Sequence, residues 1–276
     1  MKKHYELVSI IMPVYNSIEY ISDAIESVIN QKYNKWELFI IDDGSIYPTE
    51  EIIKEYDDER ILYFRQSHHG VSFARNLALK KISGDYFCFL DSDDVMPADS
   101  LFSRIKVFKR RGDISFVDGS VIYMNDDMTP TGKIYTPSFT GDPYYELLKL
   151  NRACYFGNTW MIKREPGVNY QFSEGMTHAE DLFFYLTIAK DRKYAYTEGP
   201  VLYYRERENS AMKNLEGLEQ GYLDLLKNVR KELNPDPAIL QSLKKRIMRI
   251  MFLSHLFDGR DPCGAARSLF RYLLKA

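Results

Sequence analysis

Residues 84–95, GDYFCFLDSDDV, are the most informative stretch of the chain. A Gly-Asp turn signal precedes the apolar run Tyr86–Leu90, which has the length and composition of a buried strand. The run ends in the carboxylates Asp91, Asp93 and Asp94. Two carboxylates about 4 Å apart repel each other by roughly 1 kcal/mol in water, and by more where water is excluded. The sequence therefore predicts that a cation neutralises this strand end.

Strand-like and helical segments alternate on both sides of this stretch. The alternation predicts βαβ units with right-handed crossovers, and the nearly continuous apolar strands indicate a parallel sheet that is buried on both faces. We expect α/β architecture with the strand order 3-2-1-4. The predicted strands are 7–12, 37–41, 61–64 and 86–90, and the predicted helices are 18–29, 50–56 and 72–81, the last with Ser72 as its cap.

The pattern is looser after residue 100. Strand-like runs cover 114–124, 159–163 and 201–205, and helical runs cover 101–108, 144–150 and 181–189. From Ser210 onward the pattern is helical, with breaks at Pro235 and Pro237. We therefore expect a first domain at 1–209 and a C-terminal helical extension at 210–276.

Composition excludes several classes of protein. The net charge of −2 gives no overall field that would attract nucleic acid. The three cysteines are far apart, without zinc-binding spacing, which favours a reduced cytoplasmic setting. The N-terminal apolar segment is short, is broken by Pro13 and lacks a cleavage site, so a signal peptide is not expected. No apolar run approaches the roughly 20 residues that span a bilayer.

The last 36 residues carry eight basic side chains against two acidic ones. These charges are combined with large apolar residues, a composition typical of helices that lie on an anionic membrane surface. The alternative is a helical cap on the sheet domain whose basic face is simply solvated. The sequence leaves both interpretations open.

Polar residues follow three of the predicted strands. In an open parallel sheet, ligands bind beyond the carboxyl ends of the strands where the strand order reverses. Tyr15, Asp43 and the Asp91–Asp94 segment should therefore surround one crevice. Asp91 and Asp93 offer the hard oxygen ligands that suit Mg²⁺ or Mn²⁺. The alternative is that Asp94 or Asp99 caps the next helix and the other carboxylates are merely exposed.

Three further segments bear on the site. Arg75, one turn into its predicted helix, is placed to reach the crevice and to pair with phosphate oxygens. His68 and His69 are adjacent, which separates their rings on an extended chain, and we interpret them as loop residues. Glu180 and Asp181 open a helix, where the macrodipole favours carboxylates. The functional interpretation of this pair is a general base for an acceptor hydroxyl.

These segments together carry a family resemblance over residues 6–210. The chain resembles a family 2 glycosyltransferase of the GT-A, Rossmann-like fold, of the kind that builds bacterial polysaccharides and cell-surface glycans. The resemblance rests on the following motifs, which occur in the family's order: SIIMPVYN (9–16), ELFIIDDGS (37–45), GVSFARNLAL (70–79), GDYFCFLDSDD (84–94), HAED (178–181) and YYRERENS (203–210).

The resemblance implies an inverting transfer of sugar from a nucleotide-diphosphate sugar, assisted by Mn²⁺ or Mg²⁺. UDP-sugar is the default donor, and the acceptor is a glycan or lipid-linked glycan; hexosyl and N-acetylhexosaminyl transfer are not distinguished. The residues assigned to donor binding are Pro13, Tyr15, Asp43, Arg75, Asp91 and Ser92, with Asp93 as metal ligand. Asp181 is assigned as general base, and Glu180 is the second candidate.

The match departs from the family at one position, and two other classes of protein remain as alternatives. Where the family often has histidine the chain has Arg207, so diphosphate contact is assigned to Arg205 or Arg207. One alternative is a nucleotide-sugar or glycan binding module without turnover. The other is a haloacid-dehalogenase-like phosphatase, suggested by FLDSDDV, although that family carries its motif on the first strand.

Overall fold

The computed structural model describes residues 6–207 and 213–275. Within these residues the centre of the fold is an eight-stranded mixed sheet in the order β3-β2-β1-β4-β7-β5-β6, with β8 paired to β5. Its strands are β1 Val8–Val14, β2 Trp36–Asp42, β3 Ile61–Arg65, β4 Tyr86–Phe89, β5 Phe116–Met124, β6 Pro130–Tyr135, β7 Met161–Lys163 and β8 Tyr194–Arg205. The expected order 3-2-1-4 is confirmed, and these four strands are parallel.

Helices flank the sheet, and further helices follow it. They are α1 Ile21–Ile29, α2 Thr49–Lys54, α3 Val71–Leu79, α4 Ser100–Arg110, α5 Tyr144–Lys149, α6 Glu180–Ala189, α7 Leu215–Asn228, α8 Pro237–Leu253 and α9 Pro262–Lys275. Short π-helical segments, Val229–Leu233 and Ser254–Asp258, extend α7 and α8. In the described part of the chain, no helix combines the length and the apolar character that crossing a bilayer requires.

Alternating side chains of the central strands enter two different cores. Ile10 of β1 faces a core shared with α1 and α4, whereas Ile11 faces a core shared with α3 and α6. This alternation follows from the two-residue repeat of a strand. Ile247 of α8 and Tyr272 of α9 are buried in the second core, so the C-terminal helices pack on the same side of the sheet as α6.

The predicted domain boundary between residues 209 and 210 lies outside the described residues and stays a prediction. The same holds for Glu208, Asn209 and Ser210 of the YYRERENS motif. The C-terminal helical extension itself is present as α7–α9.

Several local predictions were wrong. Ser72 does not cap α3; the N-cap is Gly70, in left-handed backbone (φ 98°), and Ser72 is buried in the first turn. Asp99 occupies the N-cap position of α4 without a capping hydrogen bond and instead pairs with Lys32 at 2.8 Å. Strand β6 was missed because it is an edge strand of mostly exposed residues, which leaves no apolar alternation to detect.

Candidate active site

The carboxyl ends of β1, β2 and β4 lie side by side on one edge of the sheet. Val14 at the end of β1 is in register with Asp42 at the end of β2. The loops beyond these two strands are joined, since the backbone N–H of Asn16 donates to the Ser45 hydroxyl at 3.0 Å. Pro13 lies within β1, opposite Ile41 of β2 and beyond the last residue of β4. On the β4 side no strand is present to accept a hydrogen bond, so the missing N–H of the proline breaks no pairing there.

Asp43 anchors the loop between β3 and α3. Its buried carboxylate accepts hydrogen bonds from Gln66 Nε2 (2.6 Å) and from the backbone N–H groups of His69 (3.0 Å) and Gly70 (2.7 Å). The Nδ1 atom of His68 lies 2.8 Å from Asp43 Oδ2. The His68 ring also stacks on Tyr15, with centroids 4.0 Å apart and planes at 16°. The two residues assigned to the nucleobase are therefore linked by His68, which contacts both of them.

Arg75 connects the strand tip to α6. Its guanidinium is 3% exposed and donates to Asp91 Oδ1 at 3.0 Å and to Glu180 Oε1 at 2.9 Å. The guanidinium also lies over the Phe172 ring, 5.2 Å from its centroid. A fork of this kind holds two carboxylates with fixed geometry. Residues far apart in the sequence are thus brought to one cleft.

Glu180 and Asp181 differ in their surroundings. Glu180 is 9% exposed, and burial, followed by the neighbouring charge of Asp181, raises its pKa to about 7. Asp181 is partly exposed, and its Oδ1 accepts from the Leu182 backbone N–H at 2.7 Å. Burial, followed by the nearby charge of Asp181, raises the pKa of Tyr155. Asp181 is the more accessible of the two acids.

Helix α7 supports the turn before these acids. A Cβ on Gly221 would lie 2.5 Å from the Cβ of His178, and one on Gly217 would lie 2.6 Å from His178 Cε1. Both distances are closer than side chains tolerate, so these glycines let α7 approach the turn. The next residue, Ala179, has left-handed backbone (φ 56°) and is the N-cap of α6. The C-terminal helices thus help to position Asp181.

The Asp91–Asp94 tip is held by arginines of β8 and the segment after it. Asp93 pairs with Arg207. Asp94 is buried and accepts from the Arg205 backbone N–H at 2.9 Å, so it does not cap α4. Burial, followed by the charges of its neighbours, raises the pKa of Asp93, and that of Asp94 well above its usual range. The Ser92 hydroxyl hydrogen-bonds to that of Ser17 at 2.6 Å.

Arg205 is fully engaged within the protein. Its Nε donates to the Asp93 carbonyl at 2.9 Å, one terminal nitrogen donates to Asp23 at 2.6 Å, and the other donates to the Asp126 carbonyl. All three nitrogens therefore have protein partners. Arg207 pairs with Asp93, which faces the cleft, and lies over the Tyr20 ring.

The acidic tip suits a divalent cation whose coordination shell is completed by a phosphate ligand and water. Among residues 6–207 and 213–275 there is no group of three His, Cys, Asp or Glu side chains that could hold a metal unaided. Mg²⁺ bound with a nucleotide needs only one or two carboxylates, because phosphate oxygens and water complete its shell. Asp93 meets that requirement. Its raised pKa also reports repulsion from Asp91, which a cation would relieve.

Comparison with known proteins agrees with this geometry. The profile of the family described as Glycosyl transferase family 2 matches residues 9–167, more than half of the chain. This chain belongs to glycosyltransferase family 2. The family's fold and its nucleotide-sugar chemistry account for the cleft, and neither a phosphatase nor a binding module is favoured by the relatives found.

Two curated relatives are glycosyltransferases. The chain is 38% identical over 186 residues to the UDP-Glc:alpha-D-GlcNAc-diphosphoundecaprenol beta-1,3-glucosyltransferase WfgD of Escherichia coli, covering 67% of this chain and 70% of the relative. It is 35% identical over 215 residues to the putative teichuronic acid biosynthesis glycosyltransferase TuaG of Bacillus subtilis, covering 75% and 82%.

Solved structures support the GT-A-like fold. Staphylococcus aureus TarS residues 1–349 with UDP-GlcNAc matches with a TM-score of 0.64 at 18% identity, over 91% of this chain and 73% of that one. The mannosyltransferase PcManGT of Pyrobaculum calidifontis, with GDP-Man and Mn²⁺, matches with a TM-score of 0.65 at 17% identity, over 99% and 77%. At these identities the likeness concerns the fold alone.

Sequence reasoning missed three features of the site. His68 was interpreted as a loop residue, although its ring contacts both Tyr15 and Asp43. Tyr155 carries no motif, and only the fold brings it to Asp181. The glycines at positions 217 and 221 were an available signal, since a four-residue spacing places both on one helix face.

Proposed function

We propose that this family 2 enzyme transfers a sugar from a nucleoside-diphosphate sugar, with UDP as the default carrier, to a hydroxyl of a glycan or lipid-linked glycan in cell-surface glycan synthesis. The observation that carries the proposal is the Arg75 bridge, which joins Asp91 at the strand tip to Glu180 beside Asp181. A donor-binding acid and a proton-accepting acid thereby border one cleft. The names of two relatives refer to glycan synthesis, which supports assigning this enzyme to the same class of pathway.

Each residue has a role that its surroundings support. Tyr15 and Asp43 contact the nucleobase through a ring face and a carboxylate at the β1 and β2 ends. Asp91, with 42% of its side chain exposed, contacts the ribose or donor sugar while Arg75 fixes its orientation. Pro13 and Ser92 shape the crevice floor through backbone and hydroxyl. Asp93 holds the divalent cation.

Asp181 is the general base in this proposal. It accepts the proton from the acceptor hydroxyl, whose oxygen attacks the anomeric carbon opposite the leaving diphosphate. Tyr155 lies close enough to this carboxylate for its charge to raise the pKa of the phenol. Glu180 is the weaker candidate because Arg75 already occupies its carboxylate.

The leaving group carries the negative charge of the reaction. A divalent cation, Mn²⁺ or Mg²⁺, supplies Lewis-acid stabilisation of the departing diphosphate when bound. Arg207, beside Asp93, is the protein's own cation at that place, and we assign the diphosphate contact to it rather than to the fully engaged Arg205. Pre-positioned charges of this kind often supply the largest catalytic contribution.

The test is donor binding by isothermal titration calorimetry with UDP-glucose, UDP-N-acetylglucosamine and GDP-mannose, with and without Mn²⁺. We expect at least one of these donors to bind, and Asp93→Ala to abolish the part of the affinity that depends on Mn²⁺. Asp99→Ala, which removes an exposed carboxylate on the surface pair with Lys32, is the matched control. Mn²⁺-dependent binding that survives Asp93→Ala would refute the metal assignment.

The C-terminal helices supply a surface for peripheral membrane contact at the cytoplasmic face. Phe257 and Phe270 are 70% and 65% exposed, and the C-terminal region also exposes Arg249 of α8, Arg260 before α9 and Arg267 of α9. Exposed aromatic rings beside cations favour an anionic lipid surface. A cytoplasmic location agrees with the nucleotide-sugar donor and stays part of this proposal.

Vesicle co-sedimentation tests the membrane contact. The full chain should pellet with phosphatidylglycerol vesicles and not with phosphatidylcholine vesicles, and the double substitution Phe257→Ser, Phe270→Ser should reduce pelleting. Phe102→Ser, at a 50% exposed phenylalanine of α4, is the matched control. Deleting the helices is unsuitable, because Ile247 and Tyr272 belong to the core. Equal pelleting of all variants would remove the membrane assignment.

A further inference from the structure

His68 occupies the position that the assigned nucleobase contacts would offer to a ligand. Its imidazole lies nearly parallel to the Tyr15 ring, with centroids 4.0 Å apart and planes at 16°. Its Nδ1 lies 2.8 Å from Asp43 Oδ2. The same nitrogen hydrogen-bonds to the Asp43 main-chain carbonyl at 3.1 Å. A flat ring that stacks on tyrosine and places a ring nitrogen beside Asp43 occupies the position of a nucleobase with an N–H on its edge.

The stack leaves no space for a second ring. A base inserted between Tyr15 and His68 would need about twice their present separation, since stacked rings approach no closer than a few ångströms. The nucleobase and the imidazole therefore compete for this face of Tyr15.

The His68 ring crowds the carboxylate of Asp43. A carboxylate offers about four lone-pair sites. Three of these accept hydrogen bonds from the Gln66 amide and the backbone N–H groups of His69 and Gly70, and the His68 ring nitrogen lies 2.8 Å from Oδ2. The His68 side chain is 53% exposed, and it can rotate away without moving the backbone that supplies two of these donors.

The loop backbone is held independently of the His68 ring. A Cβ on Gly44 would lie 2.7 Å from the His68 backbone nitrogen, so the two loops are in close contact there. The hydrogen bonds from His69 and Gly70 to Asp43 fix the following residues. Rotation of the imidazole therefore breaks the contacts of the His68 side chain and leaves the backbone around Asp43 in place.

We propose that the His68 side chain fills the nucleobase site and competes with the nucleotide, which must displace its ring to bind. This rests on the proposed function. A base recovers both lost contacts only if it stacks on Tyr15 and donates an N–H to Asp43, as the imino groups of uracil and guanine can do. Because the free protein is the same for every ligand, displacing His68 lowers the affinity for all nucleotides by the same factor, and discrimination among the bases is left to Asp43.

Calorimetry with UDP and GDP in the presence of Mn²⁺ tests the exchange. His68→Ala should bind UDP about three- to tenfold more tightly than the wild type, the range expected when one competing stack and hydrogen bond are removed. His68→Phe keeps a ring on Tyr15 without a donor and should gain less. His69→Ala is the matched control, because that ring bonds Ser67 and contacts Phe73, and only its backbone reaches Asp43. Unchanged or weaker UDP binding by His68→Ala overturns the inference.

A second measurement uses the unaltered protein. The chain has five histidines, so the His68 ring signal in a ¹H–¹³C spectrum can be assigned from its loss in His68→Ala. Saturating UDP should move this signal as the ring leaves Tyr15, and an unmoved signal overturns the inference even if the variant folds poorly. A wild type that binds neither nucleotide would instead refute the proposed function.

Discussion

Arg75 and Arg205 are almost equally buried, at 3% and 4% exposure, but they bind different parts of the protein. Arg75 donates to the side chains of Asp91 and Glu180, both at the cleft. Arg205 donates to the main-chain carbonyls of Asp93 and Asp126 and to Asp23 of α1. Arg75 therefore fixes the direction of acidic side chains, whereas Arg205 fixes the backbone that carries the acidic tip.

The difference shows that burial of a cation does not reveal its role. An arginine bound to carbonyl groups acts on chain geometry, and its loss is felt as instability. An arginine bound to carboxylates at a cleft also sets charge and orientation for a ligand. The comparison predicts unequal functional consequences from substitutions with similar structural cost.

The largest effect should separate the two acids that open α6. Asp181→Asn should lower sugar transfer by about 10²–10⁴-fold, the range for loss of a general base, while donor affinity is kept. Glu180→Gln should lower it far less, because Glu180 acts through Arg75. Transfer assays with radiolabelled donor, beside calorimetric donor binding, distinguish the two. If the Asp181→Asn variant remains active, the assignment of the general base passes to Glu180.

The next effect compares the two arginines directly. Arg75→Met and Arg205→Met should each lower the free energy of unfolding by about 3 kcal/mol, because each leaves buried groups without their partner. Donor affinity per folded molecule should fall only in Arg75→Met, since Asp91 loses its orientation there. Urea unfolding gives the first quantity and calorimetry the second. Equal loss of donor affinity in both variants would contradict the comparison.

A smaller effect depends on pH. The pKa of Glu180 is raised to about 7 from the ordinary glutamate value of 4.5, first by burial and then by the charge of Asp181. Between these values the folded chain binds a proton that the unfolded chain lacks, so the stability from Glu180 is complete below pH 4.5 and is lost as the pH rises through 7. The melting temperature of Glu180→Gln relative to wild type should therefore rise from pH 5 to pH 8. Glu198→Gln, at an exposed glutamate, should show no such trend.

The sequence predicts this parallel half-sheet well because its signals are local. The strand Tyr86–Phe89 is apolar and ends in charge, and the order of the first four strands follows from βαβ connections. Strand β6 was not predicted, because an exposed edge strand has no apolar face to detect. Asp43, Asp91 and Asp93 follow the ends of β2 and β4, as their places in the sequence indicated, and their roles in binding stay predictions.

The contacts that finish the site could not be read from the sequence. Arg75 and Glu180 are 105 residues apart, and which acid the arginine meets is set by the packing of α3 against α6. The stacking of the His68 ring on Tyr15, with ring centroids 4.0 Å apart, likewise depends on how two loops pack together. Long-range side-chain pairing depends on rotamers and on loop geometry that no local pattern encodes.

The smallest effect concerns Arg207, a third arginine beside the cleft, which pairs with Asp93. Its ion pair with Asp93 competes with a metal for the same carboxylate. Arg207→Ala should therefore raise the Mn²⁺ affinity of the nucleotide-free protein by roughly two- to fivefold, since partly exposed ion pairs are weak. Electron paramagnetic resonance of free Mn²⁺ measures this, with Arg230→Ala, at an exposed arginine, as control. If Mn²⁺ affinity is unchanged, Arg207 does not compete at Asp93. A separate fall in UDP affinity at saturating Mn²⁺ would support its contact with the diphosphate.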